Sequence, residues 1–317
     1  MIEIGIIVAL LWLAISCYNF LSGRKLIRDL IHYYLLKTRT LNEWDQYCTA
    51  NPNKTEIIIS LSTIPNRIGL IVPTLKSLLS QNHRPKAIHL YVPKFSEREQ
   101  KKYVIPEELT ALDNFKIIRT EKDWGPATKF IPAIQTLVPN QKILVVDDDN
   151  LYPKSYLQSF SFASKKEPNK VLAATGWRVP EDLTDRSTTL WSNIRQLAPT
   201  PILATRINRT YPTDIVQGYS GYLIQPVFFE TSELINYSNT PESAKYVDDV
   251  WVSAHAKVPK VIFPMSRISY SVFWKQKFYK STSLAKINNW NRERNEDRNN
   301  SIMIKFFKER WLFNSKR

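Results

Sequence analysis

Cysteine is nearly missing from this chain, and glycine and histidine are scarce: two, seven and four residues in 317. Cys17 lies inside an apolar N-terminal run, which leaves Cys48 without an intrachain disulfide partner in a folded domain. No cysteine framework or zinc-finger spacing is available to staple a small fold, and a reducing compartment is expected. There is no internal repeat. Hydrophobic residues at 43% and charged residues at 23% exclude both a disordered chain and a polytopic membrane protein. The length suffices for one large α/β domain with its own core.

Charge of one sign is in excess. A formal net charge of +15 favours anionic partners. The basic residues do not form a stripe interleaved with aromatics, and no RNP-like segment occurs, so no nucleic-acid partner is expected.

The one long apolar run, IGIIVALLWLAISCYNFL over residues 4–21, has the length of a single membrane span. Glu3 stands where a signal peptide would carry Lys or Arg. Arg24, Lys25 and Arg28 follow directly, so the positive-inside rule puts the C-terminal bulk in the cytoplasm. Residues 1–22 are thus expected to be a transmembrane anchor. Residues 23–54 are expected to be a basic juxtamembrane helix, carrying Leu26, Ile27, Leu30, Ile31, Tyr34 and Leu35, and a polar linker. That helix either lies on the membrane surface or packs on the domain's flank.

Beyond the linker, short β-branched runs alternate with helical spacing. Residues 56–62, 87–92, 115–119 and 142–146 read as strands buried in a parallel sheet, and residues 68–79 and 127–137 as helices. Residues 171–175, 221–224 and 261–263 read as further strands and 246–256 as a short helix. This alternation argues a doubly wound α/β sheet over residues 55–265. A basic, mostly helical extension is expected over residues 266–317.

The fourth strand ends in Asp147-Asp148-Asp149-Asn150. Ligands of open α/β sheets bind at that strand end. Adjacent carboxylates repel, so such a run either stays solvated as an acidic turn or holds a cation, with Mg²⁺ or Mn²⁺ suited to one or two carboxylates plus substrate phosphates. Four further segments carry chemistry. They are the turn at residues 60–67 with Thr63, Pro65 and Arg67; the Gly-Pro turn Gly125-Pro126 with Lys129 behind it; Gly218 and Gly221 among aromatics; and the acid pair Asp248-Asp249 at a helix start. Each has a plain structural reading beside the functional one: a solvated lysine, a β-turn, a helix-capping aspartate.

Taken in order, these segments resemble the GT-A glycosyltransferases, particularly the inverting family 2 enzymes and, more distantly, the exostosin C-terminal domain. The resemblance implies a GT-A-type doubly wound mixed sheet and a membrane enzyme of polysaccharide or glycolipid assembly. It would move a sugar from a nucleoside-diphosphate sugar to a glycan or glycolipid hydroxyl with Mn²⁺ or Mg²⁺. It also implies that the acidic run is the DXD motif, with Asp147 and Asp149 at the metal and Asp147 or Asp148 reaching the ribose or donor sugar. Thr63, Pro65, Arg67, Gly125, Lys129, Gly218 and Gly221 would line the nucleotide-sugar site. Asp249, with Asp248 beside it, would be the base. The sequence departs from many GT-A enzymes in having no histidine after His255 to serve as a further metal ligand. Two alternatives remain: a haloacid-dehalogenase-like phosphatase drawing on Asp147, Asp149, Thr175, Asp248 and Asp249, and an inactive membrane-tethered glycan-binding scaffold.

Overall fold

A computed structural model describes residues 1–271 and 293–311. The chain opens with helix α1 (Ile2–Ser22), none of whose side chains is buried, and Gly23 ends it in a left-handed conformation. By length and apolar composition α1 can cross a membrane, with a mean hydropathy of 2.2 over its best window.

Helices α2 (Leu26–Lys37) and α3 (Leu41–Ala50) follow. The polar composition of residues 41–50 hides a helix that a capping box starts. The Thr40 hydroxyl accepts from the Glu43 amide at 3.2 Å, and the Glu43 carboxylate accepts from the Thr40 amide at 2.7 Å. Tyr33, Leu36, Leu41, Trp44 and Cys48 are buried in the same core cluster as the sheet, so this segment carries two core-packed helices where one helix and a linker were expected. Asp45 ties α3 to the sheet by accepting from the Asp113 and Asn114 amides.

The sheet is assembled from β1 (Ile58–Ser62), β2 (Ala87–Pro93), β3 (Phe115–Thr120) and β4 (Ile143–Val145), with α4 (Val72–Leu79) and α5 (Ile131–Thr136) as crossovers. Helix α6 (Tyr156–Lys166) leads to β5 (Val171–Ala173) and β6 (Thr175–Trp177), and α7 (Leu190–Arg195) to β7 (Ile202–Leu203). Short strands β8 (Tyr211–Pro212), β9 (Ile215–Val216) and β10 (Tyr222–Ile224) precede α8 (Thr231–Leu234), α9 (Asp248–His255), β11 (Lys260–Ile262) and α10 (Asn299–Phe306).

Eight strands form one mixed sheet in the order β3-β2-β1-β4-β10-β5-β11-β8. Strands β1 to β4 are mutually parallel, and β10 runs antiparallel between β4 and β5. The doubly wound mixed α/β class expected from the sequence is therefore the observed one. A second sheet, β7-β6-β9, was not expected, because its strands are only two or three residues long. Two apolar clusters cover the two faces of the main sheet. One holds Leu75, Leu90, Leu144 and Phe160, and the other holds Phe130, Val145, Trp251, Met303 and Trp311. Helix α10 thus supplies core side chains; the remainder of the expected extension, residues 272–292 and 312–317, lies outside the described residues.

This layout brings three distant segments to one place. The parallel strands deliver the turn after β1 and the acids after β4 to the same sheet end. Because β10 is antiparallel and Tyr222 pairs with Val145, the Gly218–Ser220 turn that precedes it arrives there too. Helix α9 then starts beside that turn, with the Asp249 carboxylate accepting from the Gly218 amide at 2.9 Å.

Candidate active site

Asp148 is the most firmly held of the acids. The Thr63 hydroxyl donates to it at 2.5 Å, the Arg67 guanidinium reaches it at 3.1 Å, and the Thr74 hydroxyl donates to its backbone carbonyl at 2.8 Å. Burial pushes its carboxyl upward against the pull of Arg67 and Thr63. Arg67 also reaches Asp149 at 3.5 Å. Burial opposes the charge of Arg67, yet Asp148 and Asp149 outweigh it and strengthen the guanidinium's hold on its proton. Pro65 stands half-buried in the same turn.

Lys129 is the counterpart on the other side. Its ammonium lies 2.6 Å from Asp147 and 2.8 Å from Asp248. The first contact is a hydrogen bond; the second is an ion pair outside hydrogen-bonding direction, since Asp248 Oδ2 has no hydrogen-bond partner among the described residues. Burial disfavours the ammonium, but Asp147 and Asp248 hold its pKa well above the usual lysine value. The position of this lysine is fixed from its own backbone, whose carbonyl accepts from the buried Ser60 hydroxyl of β1 at 2.5 Å. The Gly-Pro turn that precedes it is closed by the Gly125 amide donating to Asp123 at 2.7 Å.

Two glycines are required here by space. A Cβ on Gly218 would lie 2.6 Å from Lys129 Nζ and 3.1 Å from Asp147 Oδ1. Gly221 has a φ of +77°, and a Cβ there would collide with the hydroxyl of Tyr156, which donates to the Ser220 carbonyl.

Asp149 and Asp249 are less fully answered by cations. Burial, then the neighbouring Asp148 and Asp147, push the Asp149 carboxyl up to about 7. One of its oxygens accepts from the Asn150 amide at 2.9 Å. Burial and Asp248 push Asp249 well above the ordinary carboxyl value, the direction that suits a proton acceptor working near neutrality. In all, five carboxylates meet Arg67, Lys129 and, at longer range, Arg98, so negative charge is in excess. Buried polar atoms without a hydrogen-bond partner among the described residues cluster here as well: Gln217 Oε1, Tyr222 Oη and Asp248 Oδ2. Such atoms mark where a ligand or ordered water completes a site.

No group of three His, Cys, Asp or Glu side chains suited to a metal occurs among the described residues. The donors fit a hard divalent cation only in a partial way: Asp149, with Asp147, offers carboxylate oxygens, and the repulsion that raises Asp149 is what a cation would relieve. His255 is not a candidate ligand. It is buried, its Nδ1 is 2.8 Å from the Trp251 carbonyl, and its ring packs against Trp251 and Phe307.

The expected residues Thr63, Arg67, Lys129, Asp147, Asp148, Asp149, Gly218, Asp248 and Asp249 are therefore joined by direct contacts, whereas Pro65, Gly125 and Gly221 serve the turns behind them. Three participants were missed. Thr74 anchors the acidic run, the Tyr152 hydroxyl bonds the Asp147 backbone at 3.0 Å, and Arg98 senses both Arg67 and Asp148. None carries a local signal, since each lies on an element read only for its apolar pattern or not read at all. The phosphatase alternative loses its acid pair, because Asp248 and Asp249 open helix α9 rather than follow a strand.

No family model and no curated protein matches this chain. Among solved structures it is similar to residues 1–349 of S. aureus TarS, at 13% identity and a TM-score of 0.43, over 81% of this chain and 71% of that one. It is also similar to the same protein in complex with UDP-GlcNAc, at 15% identity and a TM-score of 0.41, over 68% of this chain and 58% of that one. A third similarity is to GalNAc-T7 with UDP, GalNAc and Mn²⁺, at 11% identity and a TM-score of 0.40, over 68% of this chain and 43% of that one. At these TM-scores the likeness carries no argument about activity; the resemblance to GT-A nucleotide-sugar glycosyltransferases rests on the order of sequence motifs.

Proposed function

We propose that this chain is a hexosyltransferase that moves a sugar from a nucleoside-diphosphate sugar to a hydroxyl of a glycan or glycolipid. The observation that carries the reading is the convergence of Asp147, Asp148, Asp149, Asp248 and Asp249 with Arg67 and Lys129 around orphaned buried polar atoms at one sheet end.

In this reading the two sides of the site divide the work. Arg67, held by Asp148 and Asp149, sets a guanidinium charge beside a diphosphate, whose charge it complements. Asp149 and Asp147 would hold Mn²⁺ or Mg²⁺, which supplies positive charge against the charge building on the departing nucleoside diphosphate. Lys129 orients Asp147 and Asp248. Asp249, oriented by the Gly218 amide, accepts the proton of the acceptor hydroxyl as that oxygen bonds to the anomeric carbon and the bond to the diphosphate breaks. General-base help of this kind is worth about 10²–10⁴ in rate. One displacement with one base inverts the anomeric centre.

The same reading makes α1 a single-pass anchor and sets the catalytic body on the cytoplasmic face, by the Arg24, Lys25 and Arg28 cluster at its foot. Calorimetric titration of the purified chain with UDP and GDP, each with and without Mn²⁺, tests the donor site. Metal-dependent binding of one nucleotide that disappears in Asp149→Ala supports the reading, and no binding of either with Mn²⁺ present overturns it.

A further inference from the structure

Helix α2 carries apolar side chains on its outer side as well as in the core. Its inner face mixes core side chains, Tyr33 and Leu36, with polar ones: Asp29 pairs with Arg267 at 2.5 Å, and His32 Nδ1 lies 2.7 Å from the Tyr270 hydroxyl. Its outer face carries Ile27, Ile31, Tyr34 and Leu35, with Ile27 and Ile31 56% and 55% exposed. A helix whose solvent side is aliphatic is not designed for water.

Helix α7 and its end show the same feature. Leu190, Trp191, Ile194 and Leu197 are all exposed, the first two at 64% and 58%. The helix is nonetheless well made, with a capping box between Thr189 and Ser192, so its apolar surface is held out by a defined element.

Helix α2 starts at the foot of α1, and α7 is bonded to it. The Asn193 amide donates to the Leu21 carbonyl at 3.1 Å, the Thr205 hydroxyl to the Gly23 carbonyl at 2.7 Å, and the Leu26 amide to Asn19 at 2.8 Å. Arg206 donates to Asn193 and lies 4.3 Å over the Phe20 ring, and the Arg195 guanidinium lies 4.0 Å over the Trp191 ring. An apolar helix with no buried side chain thus adjoins two exposed apolar faces, with Arg24, Lys25, Arg28, Arg195 and Arg206 on the same segments.

We infer that the outer faces of α2 and α7 form one docking surface that lies in the headgroup and upper acyl region of an anionic bilayer, beside the span. Aliphatic side chains enter the interface, Trp191 and Tyr34 take the level that amphipathic rings favour, and the arginines and lysine meet lipid phosphates. This surface gives the body a second hold on the membrane beside the span and so fixes its tilt. It does not depend on the reaction proposed for the acidic site.

The test uses the full chain in vesicles of phosphatidylcholine and phosphatidylglycerol in equal parts. Single cysteines are introduced in a Cys17→Ser background and labelled with an environment-sensitive fluorophore; Cys48 is buried, and burial pushes its thiol up to about 12, so it stays unlabelled. Labels at Ile31→Cys and Ile194→Cys are expected to be as shielded from aqueous iodide as one at Leu11→Cys in the span. A label at Val138→Cys, exposed at the opposite end of the sheet, stays accessible. A label at position 194 as accessible as that at 138 overturns the inference, whatever position 31 shows. Shielding that disappears on dilution to one chain per vesicle also overturns it, since the cover is then a second copy of the chain.

Discussion

Replacing Asp149 by Asn should make the metal-free protein more stable while removing its metal site. The Asp149 carboxyl is held at about 7 in the fold against an ordinary value of 3.8, by burial and by Asp148 and Asp147. An acid whose pKa rises on folding contributes stability that is complete below the unfolded value and lost as pH rises through the folded one. The window here runs from about pH 4 to about pH 7. The full difference would correspond to roughly 4 kcal/mol. Because 28% of the side chain is exposed, solvent screening reduces this to about 2 kcal/mol. For a domain of this size that is roughly 4–8 °C in melting temperature. The assay is thermal melting of the detergent-solubilised chain, wild type against Asp149→Asn, at pH 8 and pH 5, with and without Mn²⁺. The variant should melt higher at pH 8, by only about two-fifths of that margin at pH 5, and Mn²⁺ at pH 8 should raise the wild type alone. A variant that melts lower at pH 8, or a gain that is the same at both pH values, refutes the argument that the triplet is electrostatically strained.

Lys129→Met should act in the opposite direction, since it leaves Asp147 and Asp248 without their cation; a loss of about 3–5 kcal/mol is expected in denaturant unfolding. Gly221→Ala meets both a positive φ and the Tyr156 hydroxyl, so a loss of about 2–3 kcal/mol is expected by the same measurement, with Gly69→Ala, in open space, as the neutral comparison. Mn²⁺ affinity, followed by calorimetry, should weaken as pH falls below about 7, because protons then compete for Asp149.

Much of the sheet could be read from the chain because its strands are short continuous runs such as Ile57-Ile58-Ile59, a pattern that strands buried on both faces impose. The acidic run was legible for a similar reason: three consecutive acids after an apolar strand have few structural uses. What could not be read is who answers those acids. Arg67 and Asp148 are 81 residues apart, and Thr63 and Asp148 are 85, so their pairing exists only through the parallel register of β1 and β4. Lys129 reads from the sequence as a nucleotide contact, and its two carboxylate partners, on β4's end and on α9, form a meeting no local spacing encodes. Helix α3 escaped notice because its apolar positions, Leu41, Trp44 and Cys48, sit among polar residues and give no long stripe. The outward apolar face of α2 was visible as a pattern, but which face was buried depended on Arg267 and Tyr270, more than 230 residues away.

The central claim is that Asp249 takes a proton from an acceptor hydroxyl while a sugar leaves its nucleotide. It is tested most directly by turnover of a panel of nucleoside-diphosphate sugars by the full chain in vesicles with Mn²⁺, wild type against Asp249→Asn. The account predicts release of nucleoside diphosphate from one donor class, slowed by about 10²–10⁴ in the variant with donor binding retained. Equal turnover in the two proteins, or none from any donor in the wild type, would contradict it.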